Sequence, residues 1–223
     1  MLLSRIIQLR NAFLDLLKKS SDEIVNEKEK NIYLINVFDM IWSSFTSIHV
    51  AFEKKEFEND LINLETKTNT YIDNLIELYM KEFFLNLVDF VKKYAQEDNE
   101  AEMKKLNLGV ENLNDFVYEN NPNNKMNERN SSINFKLIEN INAELNDSWV
   151  KRIEAVKAEV EKIFAGTNAL KLVIKKFLTN FLAYYNTFFK CVKNLNPGFS
   201  SSMIPVHQIM KEIKNNMKKY NIS

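Results

Sequence analysis

Apolar residues recur along most of this chain at steps of three and four, the period of one face of an α-helix. The regularity is strongest in the last third. From Leu170 onward, Val173, Ile174, Phe177, Phe181, Tyr184, Tyr185, Phe188 and Val192 hold that phase, and Leu178, Leu182, Phe189 and Leu195 widen the stripe. A stripe so wide predicts a central helix packed on more than one side. An Asn196-Pro197-Gly198 breaker and a bend at Ser200 to Ser202 follow it. A closing helix then carries Pro205 in its first turn, where the missing N–H costs nothing.

Four further helices are expected upstream. The first, about Leu2 to Lys19, sets Leu3, Ile6, Leu9 (or Ile7), Phe13, Leu16 and Leu17 on one side and stops at Ser20-Ser21-Asp22. The second, about Asp22 to Glu56, begins polar and becomes apolar on several sides through Tyr33, Val37, Phe38, Met40 (or Ile41) and Trp42. A third, about Glu58 to Ala95, keeps Leu61, Leu64, Thr68, Tyr71, Leu75, Leu78 (or Tyr79), Phe83, Leu87, Val91 and Tyr94 in phase, with no Pro or Gly to interrupt it. The fourth, about Ile133 to Ala165, uses Phe135, Ile138, Ile141, Leu145, Trp149, Ile153, Val156, Val160 and Ile163. Gly166-Thr167-Asn168 then offers a C-terminal glycine and a fresh N-cap. Residues 96–132 turn to Asn, Glu and Lys around Pro122, a linker or insertion in which only Met103 to Tyr118 has helical spacing. The expected organisation is therefore long N-terminal helices over 1–95, the Asn-rich stretch over 96–132 and a C-terminal helical module over 133–223.

Composition narrows the class. Three Gly and three Pro in 223 residues leave little with which to build tight β-turns, so the fold is expected to be all-α. Thirty basic residues against thirty acidic ones give no net charge, which argues against a nucleic-acid partner. A single cysteine, Cys191, fits a reducing compartment, and a cytoplasmic location is expected. Lys175 and Lys176 break the most apolar run, so no membrane span is expected, and Arg5 and Arg10 speak against a signal peptide.

Candidate chemistry is sparse. Gly166-Thr167-Asn168 lacks the second glycine and lysine of a phosphate loop, and His49 and His207 stand in no metal-ligand spacing. Cys191 lies among aromatics as a packed small residue, and Glu154, Glu159 and Glu161 fall on the solvated side of their helix. Tyr184, Tyr185, Phe188 and Phe189 are spaced as core. No catalytic, cofactor or metal site is expected, and the chain reads as non-enzymatic.

The order of several short runs carries a resemblance. Leu34-Ile35-Asn36-Val37-Phe38-Asp39-Met40, Tyr71 to Leu75, Phe90-Val91-Lys92, Trp149 in SWVKRIEAV, Gly166-Thr167, Tyr184-Tyr185 with Phe188, and Ile204-Pro205-Val206-His207-Gln208-Ile209-Met210 with Glu212 and Lys214 follow one another. In that order they resemble the C-terminal part of the vacuolar protein sorting-associated protein 52 family, subunits of the GARP and EARP vesicle-tethering complexes. The likeness runs from about Asn31 onward and omits the Asn-rich stretch. Family members are several times longer and assemble through N-terminal coiled-coil segments. The resemblance implies an elongated helical rod of the CATCHR-like tethering type and no enzyme activity. It further implies a peripheral place at trans-Golgi network and endosome membranes, in retrograde transport and endosomal recycling. The partners implied are other tethering subunits, SNAREs or a Rab-family GTPase. Pro205, His207, Gln208, Met210, Ile213 and Met217, with Ile209, are the candidate partner surface, expected as an exposed apolar or mixed patch. The alternative is a helical scaffold or peripheral membrane-surface protein outside that family, using Lys211, Lys214, Lys218 and Lys219 beside the apolar face of the last helix.

Overall fold

The structure, a computed structural model, describes residues 2–52, 58–94 and 135–222. The stretch at 96–132, with the short helix expected at Met103 to Tyr118, lies outside the described residues. Among those described the fold is all-α. Six α-helices appear in order: α1 (Leu2–Asp22), α2 (Glu27–Phe52), α3 (Glu58–Tyr94), α4 (Phe135–Phe164), α5 (Ala169–Leu195) and α6 (Val206–Lys219), with a short 3₁₀ helix at Phe199–Ser202 before the last.

The helix ends follow from local chemistry. Asn26 caps α2, its side-chain oxygen accepting the Glu29 N–H at 3.1 Å, while Glu27 and Glu29 place negative charge in the first turn. Gly166 closes α4 at φ +78°, a left-handed conformation that disfavours a Cβ, and Thr167 returns its N–H and hydroxyl to the Phe164 carbonyl at 3.1 and 2.9 Å. Pro205 stands one place earlier than expected, as the extended N-cap residue of α6, where its carbonyl accepts the Gln208 N–H at 2.9 Å.

The described helices fall into two compact units, Met1–Leu78 with Lys162–Leu170, and Tyr79–Glu161 with Lys171–Ser223. This division lies within α3 and not at the composition change near residue 95. In the first unit Leu17 of α1, Leu34, Phe38 and Ile41 of α2 and Leu64 of α3 form one buried cluster, and Phe38 stacks on Tyr71 with ring centroids 5.6 Å apart.

The second unit is built around α5. Every residue from Phe181 to Phe188 is buried, so that stretch of the helix is covered on all sides. Its aromatics meet those of α3 in rising order, Phe177 on Tyr79, Phe181 on Phe84 and Phe188 on Phe90, which makes this stretch of α3 and α5 parallel. Hydrogen bonds from Arg152 to the Phe83 carbonyl and from Asn86 to Glu144 run in opposite order, so α4 is antiparallel to α3. Contacts of Asn142 with Ser202 and Lys157 with Asn216 set α6 parallel to α4. The result is an up-down-up-down four-helix arrangement, in which adjacent antiparallel helices share one apolar core.

One expectation about α3 is corrected. Although it holds no Pro or Gly, the helix is broken at Phe84, whose φ of −138° and ψ of 37° leave the helical region. Arg152 of α4 takes the Phe83 carbonyl at 2.6 Å, pairs with Glu144 and lies 5.9 Å over the Phe84 ring. A charged donor thus satisfies a carbonyl at the break, the kind of insertion that kinks a helix without proline. The kink shifts the core register, burying Phe84 and leaving the expected Phe83 half-buried.

Candidate functional site

The sequence directs attention to α6, and the structure divides its candidate residues in two. Ile209, Met210, Ile213 and Met217 are buried. The expected exposed apolar patch is therefore corrected, since those side chains complete the core of the second unit. Pro205, His207 and Gln208 are exposed, continued along the outer ridge by Lys211, Asn215, Lys218 and Lys219. An amphipathic helix shows the same pattern whether its apolar face meets its own chain or another.

Beneath α6 lies a polar network that includes Glu154 and Glu161, two carboxylates that periodicity assigned to solvent. Lys157 of α4 is only 3% exposed. Its ammonium donates to both Glu154 carboxylate oxygens at 2.8 and 2.9 Å and to the Asn216 side-chain oxygen of α6 at 2.5 Å, and lies 5.6 Å from the Tyr220 ring centroid. Asn216, itself buried, donates its amide to the Glu212 carbonyl at 3.0 Å and carboxylate at 3.3 Å. Tyr220 donates its hydroxyl to Glu161, and burial together with that carboxylate pushes its phenol up. Glu154 and Glu161 thus do more than solvate α4. Lys157 was legible as an anomaly, because it falls within the apolar stripe between Ile153 and Val160.

Residues in the runs that carry the family resemblance meet one another or close sequence neighbours of other runs. Asp39 of α2 accepts the Asn168 backbone N–H at 3.1 Å, and Asn168 donates its side-chain amide to the Ser43 hydroxyl at 3.0 Å. The turn after Gly166 is thereby tied to the Phe38-Asp39-Met40 segment. Burial pushes the Asp39 carboxyl up, and the N–H donors of Asn168 and Ala169 pull it back. Trp149 stacks flat on Phe181, centroids 5.8 Å apart and planes 5° from parallel. Tyr185 donates its hydroxyl to the Ile204 carbonyl, tying the aromatic group of α5 to the start of the closing segment, and burial pushes its phenol up.

Cys191 is buried and its thiol is pushed up to about 11 by that burial, which leaves it a packed thiol without nucleophilic character near neutral pH. Among the described residues no group of three or more His, Cys, Asp or Glu side chains is arranged to hold a metal ion, and no helix is long and apolar enough to cross a membrane. A groove of about 190 Å³ between α4 and the end of α5, lined by Phe135, Ile138, Glu139, Val192, Asn196 and Phe199, is smaller than the roughly 300 Å³ at which small-molecule sites begin. The arrangement offers helix faces and ridges for contact. Comparison with protein-family models, with curated proteins and with solved structures finds no match for this chain.

Proposed function

We propose that this chain is a non-enzymatic subunit of a multisubunit vesicle-tethering complex, of the GARP and EARP kind, serving endosome-to-trans-Golgi retrograde transport and endosomal recycling. The observation that supports this reading is the pairing of the resemblance runs: Phe38 with Tyr71, Phe90 with Phe188, and Tyr185 with Ile204. Runs far apart in sequence that hold one another in place are what a shared helical architecture of the rod type requires. Partner subunits, SNAREs or a Rab-family GTPase would then meet the outward ridges, with Pro205, His207 and Gln208 on one of them. Co-expression with the remaining tethering subunits of the same organism tests the reading. Joint elution on size-exclusion chromatography is the expected result, and separate elution with every subunit folded overturns it. A membrane-surface role for α6 is the weaker alternative, because the apolar face it would insert is buried in the second unit.

A further inference from the structure

The charge balance of the chain is uneven along its length. Ala169 to Ser223, the span of α5 and α6, holds nine lysines and one acid, Glu212, a net charge of +8 that the rest of the chain offsets. Helix α5 contributes five of those lysines and no acid, with Lys171 and Lys193 exposed near its two ends. On α6, His207, Lys211, Lys214 and Lys218 follow one another at steps of four, three and four. That spacing confines them to an arc of about 60° and a row roughly 16 Å long. His207, Lys211 and Lys218 are exposed and Lys214 is half-buried, with exposed Lys219 to one side.

The fold decides which way that row points. Asn216 and Tyr220 turn toward α4, where they meet Lys157 and Glu161. The row runs along the other side of the helix, nearly opposite Asn216 by helical phase. The carboxylates that α6 meets therefore stand behind it: Glu154 and Glu161 belong to the α4 network, and Glu212 accepts from the Asn216 amide at 3.3 Å. The apolar side chains of α6 are spent on the core, so the row offers charge alone. Chemistry then selects the partner. Nucleic acid favours Arg on phosphates and exposed aromatics beneath unpaired bases, whereas α5 and α6 hold no arginine and the row no aromatic. A tight protein contact needs an apolar or Arg anchor, and the row has neither. Lysine point charges flanked by Gln208 and Asn215 suit a diffuse sheet of negative charge, where each adds its share without a docking pocket.

We infer that the lysine row of α6 rests on the anionic surface of a lipid bilayer, held by headgroup charge with no part of the helix inserted. Insertion would have to draw Ile209 and Ile213 out of the core, and this contact leaves them in place. It is weak per residue, additive and screened by salt. The inference stands apart from the tethering reading, and its test involves no tethering protein.

The full chain is floated with vesicles of phosphatidylcholine alone, or of phosphatidylcholine with about one-third phosphatidylserine. At about 0.1 M salt it floats with the anionic vesicles and not with the neutral ones, and about 0.5 M salt releases it. Lys211→Gln with Lys218→Gln and Lys219→Gln lowers the partitioning by about tenfold or more while the circular dichroism is unchanged, since all three side chains are exposed. Arginine at the same positions restores it. Lys18→Gln with Lys19→Gln and Lys67→Gln takes as much charge from exposed lysines of the first unit, and changes the partitioning by less than about twofold. Absence of flotation, equal flotation with both vesicles, binding that survives the higher salt, or equal losses in the two glutamine variants would each overturn the inference. So would tighter binding, at the same salt, to a polyglutamate peptide or to duplex DNA, which would give the row to another class of partner.

Discussion

Replacing Lys157 by Met tests whether the polar network under α6 is a structural pin. Methionine fills the volume of the lysine stem, so little cavity opens, and what is lost is the ammonium. The Asn216 oxygen that it held is left in a residue 1% exposed, and an unsatisfied buried acceptor costs about 1–3 kcal/mol. The full ~3–5 kcal/mol of breaking a buried ion pair does not apply. Glu154, at 49% side-chain exposure, is free to turn to water. The expected loss is about 2 kcal/mol. Asn216→Leu costs a similar amount by leaving the ammonium short of an acceptor, whereas the double variant replaces two mutually satisfied groups by apolar ones and costs less than about 1 kcal/mol. The chain has two tryptophans, and a Trp42→Phe background leaves buried Trp149 as the reporter of the second unit. With a urea dependence of about 2 kcal/mol per molar, each single variant moves the midpoint down by about 1 M, and the double variant by less than either. Strictly additive losses, or single losses under about 0.5 kcal/mol, would show that Lys157 and Asn216 are not coupled and refute the pin.

Three further outcomes follow from the same geometry. Arg152→Leu strands the Phe83 carbonyl and removes the cation from Glu144, and should cost about 2 kcal/mol, with amide exchange accelerating first around Phe84. Asp39→Ala removes the acceptor at the turn into α5 and should cost about 1 kcal/mol, read from Trp42 in a Trp149→Phe background, while Asp39→Asn, which keeps a side-chain oxygen, costs less. Burial raises Cys191 from 9.0 to about 11 and pushes up the phenols of Tyr79 and Tyr185, so in each case the folded state holds a proton that the unfolded chain has already released. The stability these groups contribute is complete below pH 9, the ordinary thiol value, and lost as pH rises through the thiol and then the phenol ranges, so urea midpoints should fall steadily above pH 9. Tyr185→Phe, which also gives up its bond to Ile204, flattens that fall while lowering stability at pH 7 by about 1 kcal/mol, a midpoint shift of about 0.5 M.

The parts of this fold that were legible in the sequence are those set by local periodicity. The breadth of the α5 stripe foretold a helix packed on more than one side, and Gly166 marked the end of α4 because a left-handed turn needs it. What escaped depends on residues far apart. The kink at Phe84 has no proline or glycine to announce it, and the donor that meets its carbonyl comes from a residue 69 positions away. Glu154 and Glu161 were read as solvated, and the burial of Lys157 and Asn216 beside them rests on a mutual satisfaction that no local pattern announces. The apolar face of α6 was assigned to a partner for the converse reason. Its pattern records that something covers it, and the cover turned out to be the second unit itself.

That outcome shifts where a partner surface should be sought. A helix whose apolar stripe is already spent can offer only its polar ridge, and ridges of Lys, Gln and Asn such as that of α6 yield contacts worth little each in water. Affinity in a stable assembly comes from apolar side chains that the free chain leaves exposed, framed by charges that reject wrong partners. Among the described residues of α1, Phe13 and Leu16 are apolar side chains outside the core. The closing helix is then the wrong place to look for the strongest contact, although it holds the run that most resembles a family signature. That run is explained from within, by the Tyr185 bond to Ile204 and the burial of Ile209 and Met210.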